Sequence, residues 1–423
     1  MEPQERLGLA RLTKMAFDGV DLMPLRAELL TKMEQGAEAD GIFMDLSVID
    51  QLYGNQEMGL AWQAKALARQ RMFSTNRRGK LQPKVLVFAE PSHVGGNTPI
   101  EFLLQSSDFE IITYYPKMDS ERDEPLPEHD VAFCAVPTDS AQAEAFFAKV
   151  RQLTQATGTQ VVNLPAGPVD LERDALTEIF PYVRGLKFPK TERVDRDTLV
   201  AAVCNGFETQ VLAQVGSYPY IIRPVGSHAG AGLAKVDTPE ALVQYLAGQE
   251  ALNFFVSEYV DYASFDGTFR KYRIVFVNGQ AFPCHMAIAD QWDLWYLNAQ
   301  MEQSEAKRAE EAHFMARFER DFAKRHKEAF EALMSGVGLD YFGIDCAEDR
   351  DGNLVVFEAD NALIVHDMDS EAVFPYKAAH MQEIFAAFDS MLRARSLTHI
   401  RDMAPMSGAG GHAGIDVAAT ALM

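Results

Sequence analysis

Three carboxylates in the last quarter of the sequence have a spacing that could serve a bound cation. Asp345 and Glu358 flank an Asp351-Gly352 turn signal, so an antiparallel strand pair would bring them to one region. Asp360 follows two residues later and would point to the same face, and Asn361 adds an amide oxygen. Converging carboxylates repel one another unless a cation lies between them, and hard oxygen ligands suit Mg²⁺ carried by a nucleotide. The alternative is a solvated hairpin with charged ends.

Basic residues and glycines form a second candidate group. Arg223 ends the apolar run PYIIRPV, and the glycine-rich segment Gly226–Gly232 follows it. Backbone N–H groups of such a segment can approach a phosphate closely, and a neighbouring arginine can bind phosphate oxygens. Lys271 and Arg273 alternate on a predicted strand, so they share a face and could neutralise a transferred phosphoryl group. The alternatives are an ordinary turn and a cationic surface strand.

Other polar and aromatic residues are candidates for substrate contact. The PSHVGG turn after the first predicted strand could hold a second substrate, or it is a plain strand-to-helix turn. A histidine at a strand end is more often structural than a base, and aromatic residues near a site are as often core as pocket. The residues concerned are Ser92, His93, Asn97, Cys284, His285, Trp292, Trp295 and Tyr296.

The elements that position the charged residues are predicted from apolar patterning. Residues 270–289 form two apolar runs around Asn278-Gly279, a strong signal for a type I′ hairpin turn. A long amphipathic helix is expected over Glu302–Met334 and a last helix over about Tyr376–Arg395. The tail 401–423 is rich in small residues, which predicts a flexible segment.

The first part of the chain has a different pattern. Residues 1–80 show apolar spacing typical of helices and one faint tetratricopeptide-like stretch, GLAWQAKALARQRMF. A helical cap is favoured there over a partner-binding array. Four short apolar runs follow within 84–164, separated by helical patterns, which predicts a small parallel α/β domain.

Composition excludes several classes of function. The 423 residues carry a formal net charge of −22, which disfavours nucleic-acid binding in general. No apolar run is long enough for a membrane-spanning helix, so no membrane partner is expected. The start of the sequence lacks the features of a secretory signal, and the four cysteines form no CxxC pair. We therefore expect a cytoplasmic protein.

Taken together, these groups resemble the ATP-grasp superfamily. The motif GIDCAEDRDGNLVVFEAD has the carboxylate spacing of D-alanine–D-alanine ligases. The order of the elements is similar to glutathione synthetase and the ribosomal-protein glutamate ligases. The resemblance covers about residues 160–395 and implies an α/β (α+β) protein. Its expected parts are an N-terminal helical segment (1–80), an α/β pre-ATP-grasp domain (81–165), an ATP-grasp domain of two subdomains (166–400) and the tail (401–423).

The resemblance also assigns roles to residues. It implies that Arg273, Arg223 and Lys271 are catalytic, with Arg273 stabilising the transferred γ-phosphoryl group. It implies that Asp345, Glu358, Asp360 and Asn361 bind Mg²⁺, or Mn²⁺ in its place. It implies that ATP is contacted by Arg173, Arg223, Gly226, Ser227, His228, Ala229, Gly230, Gly232, Glu258, Tyr259, Val260 and Asn298.

Three departures from the superfamily pattern accompany these roles. Arg223 and Arg173 stand where lysines are usual, and an arginine keeps the charge but changes reach and geometry. The asparagine that usually follows the last glutamate is replaced by Asp360 or shifted to Asn361. The extra negative charge of Asp360 could bind metal more tightly or move the position of the metal.

The resemblance implies a carboxylate–amine ligase that forms an amide or peptide bond through an acyl phosphate and releases ADP and phosphate. Small-molecule carboxylate and amine substrates are expected, together with a homo-oligomer contact or a protein partner at residues 1–80. One alternative is a phosphotransferase that acts on a small-molecule hydroxyl. Another is a nucleotide-binding scaffold that has lost catalysis, a hypothesis motivated by the two arginine replacements.

Overall fold

A computed structural model describes residues 2–36, 39–79, 81–120, 125–155, 157–180, 182–227 and 230–403. His228 and Ala229 lie outside the described residues, as does the predicted flexible tail from residue 404 onward. The described helices are α1 (Leu9–Phe17), α2 (Met23–Glu34), α3 (Ala39–Leu52), α4 (Gln56–Leu67), α5 (Ile100–Leu103), α6 (Ala143–Gln155), α7 (Leu176–Ile179), α8 (Arg196–Asn205), α9 (Glu208–Val211), α10 (Pro239–Ala247), α11 (Glu305–Arg317), α12 (Phe322–Arg325), α13 (Lys327–Val337) and α14 (Lys377–Met403). The described strands are β1 (Gln4–Glu5), β2 (Met72–Thr75), β3 (Lys84–Phe88), β4 (Glu110–Tyr114), β5 (Val131–Cys134), β6 (Val161–Val162), β7 (Leu186–Lys187), β8 (Thr191–Asp195), β9 (Tyr220–Pro224), β10 (Ala234–Val236), β11 (Asn253–Glu258), β12 (Phe269–Val277), β13 (Gln280–Ala289), β14 (Tyr341–Glu348) and β15 (Leu354–Asp360).

The first sheet has six strands in the order β1-β2-β4-β3-β5-β6. Strands β3 to β6 pair in parallel, which confirms the predicted parallel α/β unit. The N-terminal segment is not only helical, because β1 and β2 extend this sheet and β2 runs antiparallel to β4. All four residues of β2 are buried. They form a buried strand even though the apolar spacing of the surrounding segment is typical of helices. The boundary near residue 80 remains a prediction.

The second sheet has four antiparallel strands in the order β10-β9-β11-β8. One face packs on α8 and α10 through a core that includes Tyr220, Ile222 and Val256. Directly paired residues of antiparallel strands share a face, so Arg223, Phe255 and Lys235 lie on the opposite face. The sheet therefore presents a basic face away from its own core.

The third sheet has the order β13-β12-β14-β15-β7. The β12–β13 turn is at Asn278-Gly279, where both residues have positive φ (48° and 79°), as the type I′ signal predicts. Helices α11 to α13 cover one face, and their Phe318, Phe322 and Phe330 join the core beneath Tyr272. The long helix expected over 302–334 is thus divided into shorter helices whose phenylalanine rings pack together.

Helix α14 joins the third sheet to the first. Its Ile384, Phe385 and Phe388 share one core with Val85 of β3 and Val275 of β12. The α/β fold class predicted from the sequence is confirmed by these three sheets and their helices. Among the described residues, no helix is long and apolar enough to cross a membrane.

Candidate functional site

A row of charged side chains crosses the third sheet. Arg273 on β12 pairs directly with Asp345 on β14, and Asp345 pairs with Glu358 on β15. His285 on β13 pairs with Arg273 at the other end of the row. Since directly paired residues share a face, four strands bring these side chains to one side of the sheet. The predicted approach of Asp345 and Glu358 through the Asp351-Gly352 turn is therefore observed.

Two basic side chains hold Asp345. Arg273 donates from Nε to Oδ1 at 2.8 Å and from Nη2 to Oδ2 at 3.2 Å, and Lys271 Nζ lies 2.9 Å from Oδ2. The carboxylate is 5% exposed. Burial alone would favour the neutral acid, but the two cations hold the pKa of Asp345 well below its usual range. Asp345 is thus an ionised, fully paired group.

Two further arginines interact with Glu358. Arg173, in the turn before α7, lies 2.8 Å from the Glu358 carboxylate. The pKa of Arg223 is lowered to about 10, first by burial and then by the nearby positive charge of Arg173, while Glu358 opposes the shift. The charges of Arg223 on the second sheet and Glu358 on the third are thus close enough to interact. Four basic side chains, Arg173, Arg223, Lys271 and Arg273, accompany the charged row, and the region that they share with it is called the cleft.

Asp360 and Asn361 have different surroundings. Burial raises the pKa of Asp360 to about 7, against one hydrogen bond of 2.6 Å from the Ala362 N–H. Asn361, by contrast, donates from its amide to the Val136 carbonyl at 3.0 Å and accepts from the Thr138 N–H at 3.1 Å. The structure thus turns the Asn361 side chain toward the first sheet, and it does not join the carboxylates as expected.

The glycine-rich segment has the backbone that its composition predicts. Gly226, Gly230 and Gly232 all have positive φ. A side chain at Gly232 would also meet the Pro224 ring, whose Cδ lies 2.7 Å from the position of a Cβ. Arg223 donates from Nε to Ser227 Oγ at 3.0 Å, which ties the arginine to the start of the segment.

The expected hinge follows β11. The Glu258 N–H donates to the Lys190 carbonyl at 2.9 Å, and Tyr259 and Val260 follow as half-buried residues. Lys235 Nζ lies 4.4 Å from the Tyr259 ring centroid and shares a face with Arg223. Lys235 was not predicted as a site residue, although its position in the strand after the glycine-rich segment could have indicated it.

The Asn298 side chain forms hydrogen bonds within its own loop. Its Oδ1 accepts from the Trp295 N–H at 2.9 Å and its Nδ2 donates to the Asp293 carbonyl at 2.7 Å. Asn97 is used in a similar way, since its amide makes two hydrogen bonds to the backbone of Glu90. Both asparagines therefore close their own loops, and the ligand contacts expected of them remain predictions.

A buried network of ion pairs and hydrogen bonds near His285 was also not predicted from the sequence. Lys377 is 3% exposed, and its Nζ lies 2.8 Å from Asp369 and 3.4 Å from Glu311, which is itself fully buried. Glu311 accepts from the Tyr376 hydroxyl at 2.6 Å, and the Tyr296 ring lies 4.6 Å from the His285 ring. Residues this far apart in sequence left no local signal for the network.

The charge balance of the cleft favours an anion. Four basic side chains face three carboxylates, and the raised pKa of Asp360 reduces the negative charge further near neutral pH. Among the residues that the structure describes, no group of three or more His, Cys, Asp and Glu side chains is placed to hold a metal ion. The cleft is thus a basic site on a strongly acidic protein.

Three solved structures match this chain at low identity and with TM-scores below 0.5. A RimK domain protein ATP-grasp from Sphaerobacter thermophilus DSM 20745 matches with a TM-score of 0.41 and 14% identity, over 73% of this chain and 99% of that one. VanG D-Ala:D-Ser ligase from Enterococcus faecalis matches with a TM-score of 0.45 and 15% identity, over 74% and 99%. D-alanine–D-alanine ligase from Bacillus anthracis, complexed with ATP, matches with a TM-score of 0.42 and 12% identity, over 76% and 99%.

The first of these structures carries the name of the superfamily that the sequence resembles. No family model matches the sequence, and no curated protein matches it either.

Proposed function

We propose that the protein is an ATP-dependent ligase that joins a carboxylate to an amine. The observation that carries the proposal is the row of Arg273, Asp345 and Glu358, which faces Arg223 and Arg173 across the cleft. A basic cleft beside a glycine-rich segment suits a polyphosphate, because charge-assisted hydrogen bonds to phosphate are strong. The cleft has more basic than acidic side chains, although the whole chain has a net charge of −22.

The chemistry proceeds in two steps. A substrate carboxylate oxygen forms a bond to the γ-phosphorus as the bond to the ADP oxygen breaks. The amine nitrogen then bonds to the acyl carbon, the bond from that carbon to the phosphate oxygen breaks, and a proton leaves the nitrogen. Arg273, Lys271 and Arg223 neutralise the phosphoryl charge, and the cleft orients the reactants. No nucleophilic side chain is needed.

The described residues form no ready-made metal site, but three carboxylates of the cleft have the oxygen donors that a Mg²⁺ ion brought by the nucleotide would prefer. Asp345, Glu358 and Asp360 are hard oxygen donors on one face of two adjacent strands. Burial raises the pKa of the Asp360 carboxyl, which accepts one hydrogen bond from the Ala362 N–H. These three residues would hold the ion, with Asn361 committed elsewhere. When bound, Mg²⁺ supplies charge neutralisation on the phosphates.

Calorimetry of Mg-ATP binding tests the nucleotide site. We expect wild-type protein to bind Mg-ATP, and we expect both substitutions to weaken binding at least tenfold. Arg223→Ala removes a cation that would meet the phosphates, and Glu358→Gln removes a carboxylate that would hold the Mg²⁺ ion. Asp351→Asn, in the exposed turn of the same hairpin, is the matched control and should bind like wild type. Absence of binding by a folded wild type would contradict the proposal and favour a scaffold.

ADP release distinguishes the two enzymatic readings. A ligase should release ADP only when a carboxylate and an amine are both present, whereas amine-independent release with a hydroxyl acceptor would indicate a phosphotransferase. The screen uses pools of small carboxylates and amines, with Glu358→Gln as the inactive control.

A further inference from the structure

The third contact of Arg273 comes from the segment after β15. Besides its two hydrogen bonds to Asp345, Arg273 donates from Nη1 to the carbonyl of Ile364 at 3.2 Å. Asp345 is fixed within the sheet, but Ile364 lies in an irregular segment and is 41% exposed. The two bonds to Asp345 set the plane of the guanidinium, and the Ile364 carbonyl adds a third contact whose position depends on what holds this segment.

The loop after β3 packs against Ile364. The two residues are neighbours, since a Cβ added at Gly95 would lie 3.5 Å from Ile364 Cδ1. Close by, Thr98 Oγ1 donates to the Asn361 carbonyl at 2.7 Å. His366 lies between the rings of Phe102 and Phe17, with centroids 6.3 and 6.4 Å away. Residues 361–366 are thus supported by the first sheet's loops and by α1.

Two glutamines of the N-terminal helices hold the tip of this loop. Gln63 of α4 donates from Nε2 to the Ser92 carbonyl at 3.0 Å. Gln51 of α3 accepts at Oε1 from the Val94 N–H at 2.8 Å. A cavity of about 90 Å³ lies between the helices and the loop. The two hydrogen bonds therefore join the loop to the helices beside this cavity.

We propose that Gln51 and Gln63 are positioning residues for Arg273, acting through the loop Ser92–Gly96 and Ile364. The proposal rests on the proposed function, in which Arg273 meets the terminal phosphate of ATP. It gives the N-terminal helices a role in the chemistry of a cleft that they do not line. It also means that anything that moves α3 or α4 changes the fit of the γ-phosphate.

The two glutamines allow a sharp test, because one accepts and the other donates. Gln51→Glu keeps an acceptor for the Val94 N–H, whereas Gln51→Leu removes it. Gln63→Glu removes the donor and places a carboxylate against the Ser92 carbonyl. Gln56→Glu, at an exposed position at the start of α4, is the matched control for added charge. Binding of a non-hydrolysable Mg-ATP analogue and of Mg-ADP is measured by calorimetry for every variant.

We expect Gln63→Glu and Gln51→Leu to bind the ATP analogue about threefold to tenfold more weakly, the range that the loss of one hydrogen bond produces. Affinity for ADP should stay within about twofold of wild type, because ADP lacks the phosphate that Arg273 meets. Gln51→Glu and Gln56→Glu should resemble wild type for both nucleotides.

Other outcomes overturn one proposal or the other. Equal weakening for ATP and ADP would show a general structural effect and would refute the positioning role. Unchanged ATP affinity in Gln63→Glu and Gln51→Leu would refute it as well, while Arg273→Ala would still report on the proposed function. A wild type that binds neither nucleotide would instead refute the proposed function. Thermal unfolding of each variant establishes that it is folded.

Discussion

At the scale of single residues, the pKa of each buried carboxyl group depends on the cations and hydrogen-bond donors around it. Asp345 and Asp360 lie on the same face of adjacent strands, yet their pKa values move in opposite directions. Two cations compensate Asp345, whereas Asp360 has one backbone hydrogen bond. The same carboxyl group is therefore held ionised in one place and pushed toward the neutral acid in the other.

Asp45 on α3 offers a pH test away from the cleft. It is 3% exposed, and burial raises its pKa to about 6, against hydrogen bonds from the Leu7 and Gly8 N–H groups. Because the folded state binds this proton more tightly than the unfolded state, the stabilisation is present below the unfolded pKa. It is lost as the pH rises through 6.

We therefore expect the free energy of unfolding of wild type to fall relative to Asp45→Asn by about 2 kcal/mol between pH 4.5 and 7.5. Urea unfolding of both proteins across this range measures the difference. Asp18→Asn, on an exposed side chain of the same helical segment, controls for the substitution itself. A difference that does not change with pH would contradict the prediction.

At the scale of elements, side-chain packing overrides local propensity. The predicted helix over 302–334 has the right period, but Phe318, Phe322 and Phe330 break it into shorter helices that fill the core beneath β12. The same competition occurs at Gly336 in α13. A glycine within a helix is unfavourable on propensity alone, by about 1 kcal/mol relative to alanine.

Gly336→Ala should nevertheless destabilise the protein, by about 1–3 kcal/mol. A Cβ there would overlap the ring of Phe180, which is stacked on Phe188 and has little room to move. Gly248→Ala is the matched control, because its Cβ would have only an ordinary contact at 3.6 Å. Denaturant unfolding measures both variants. Stabilisation by Gly336→Ala would show that the ring yields and that propensity decides.

At the scale of the whole molecule, the N-terminal segment is built into the first sheet. Strands β1 and β2 add to that sheet, and Arg6 forms a buried ion pair of 2.8 Å with Glu101 at the start of α5. Both side chains are about nine-tenths buried, so each needs the other. This attachment is what allows α3 and α4 to act on the loop after β3.

Glu101→Gln should cost about 3 kcal/mol of stability, because it leaves the Arg6 guanidinium buried without its counter-charge. The control is Glu28→Gln, which breaks an exposed pair with Lys32 and should cost less than about 0.5 kcal/mol. Unfolding followed by tryptophan fluorescence includes Trp62 of the N-terminal segment. Equal small losses in both variants would mean that the buried pair is not the attachment.

The sequence by itself determined what depends on local period and turn chemistry. The Asn278-Gly279 hairpin, the face shared by Asp345, Glu358 and Asp360, and the positive-φ glycines near Arg223 all follow from alternation and from residues that favour particular backbone angles. The four parallel strands of the first sheet follow in the same way from short apolar runs between helices.

Only the tertiary structure decided how these parts meet. The pairing of Asp345 with Arg273, 72 residues away, requires β12 to lie beside β14. The use of Asn361 by Thr138 and Val136 requires the first and third sheets to share a core. β2 forms a strand because it pairs with β4 of the first sheet, and its own residues do not specify that pairing. Contacts between distant segments depend on which surfaces bury each other, and no local pattern records that choice.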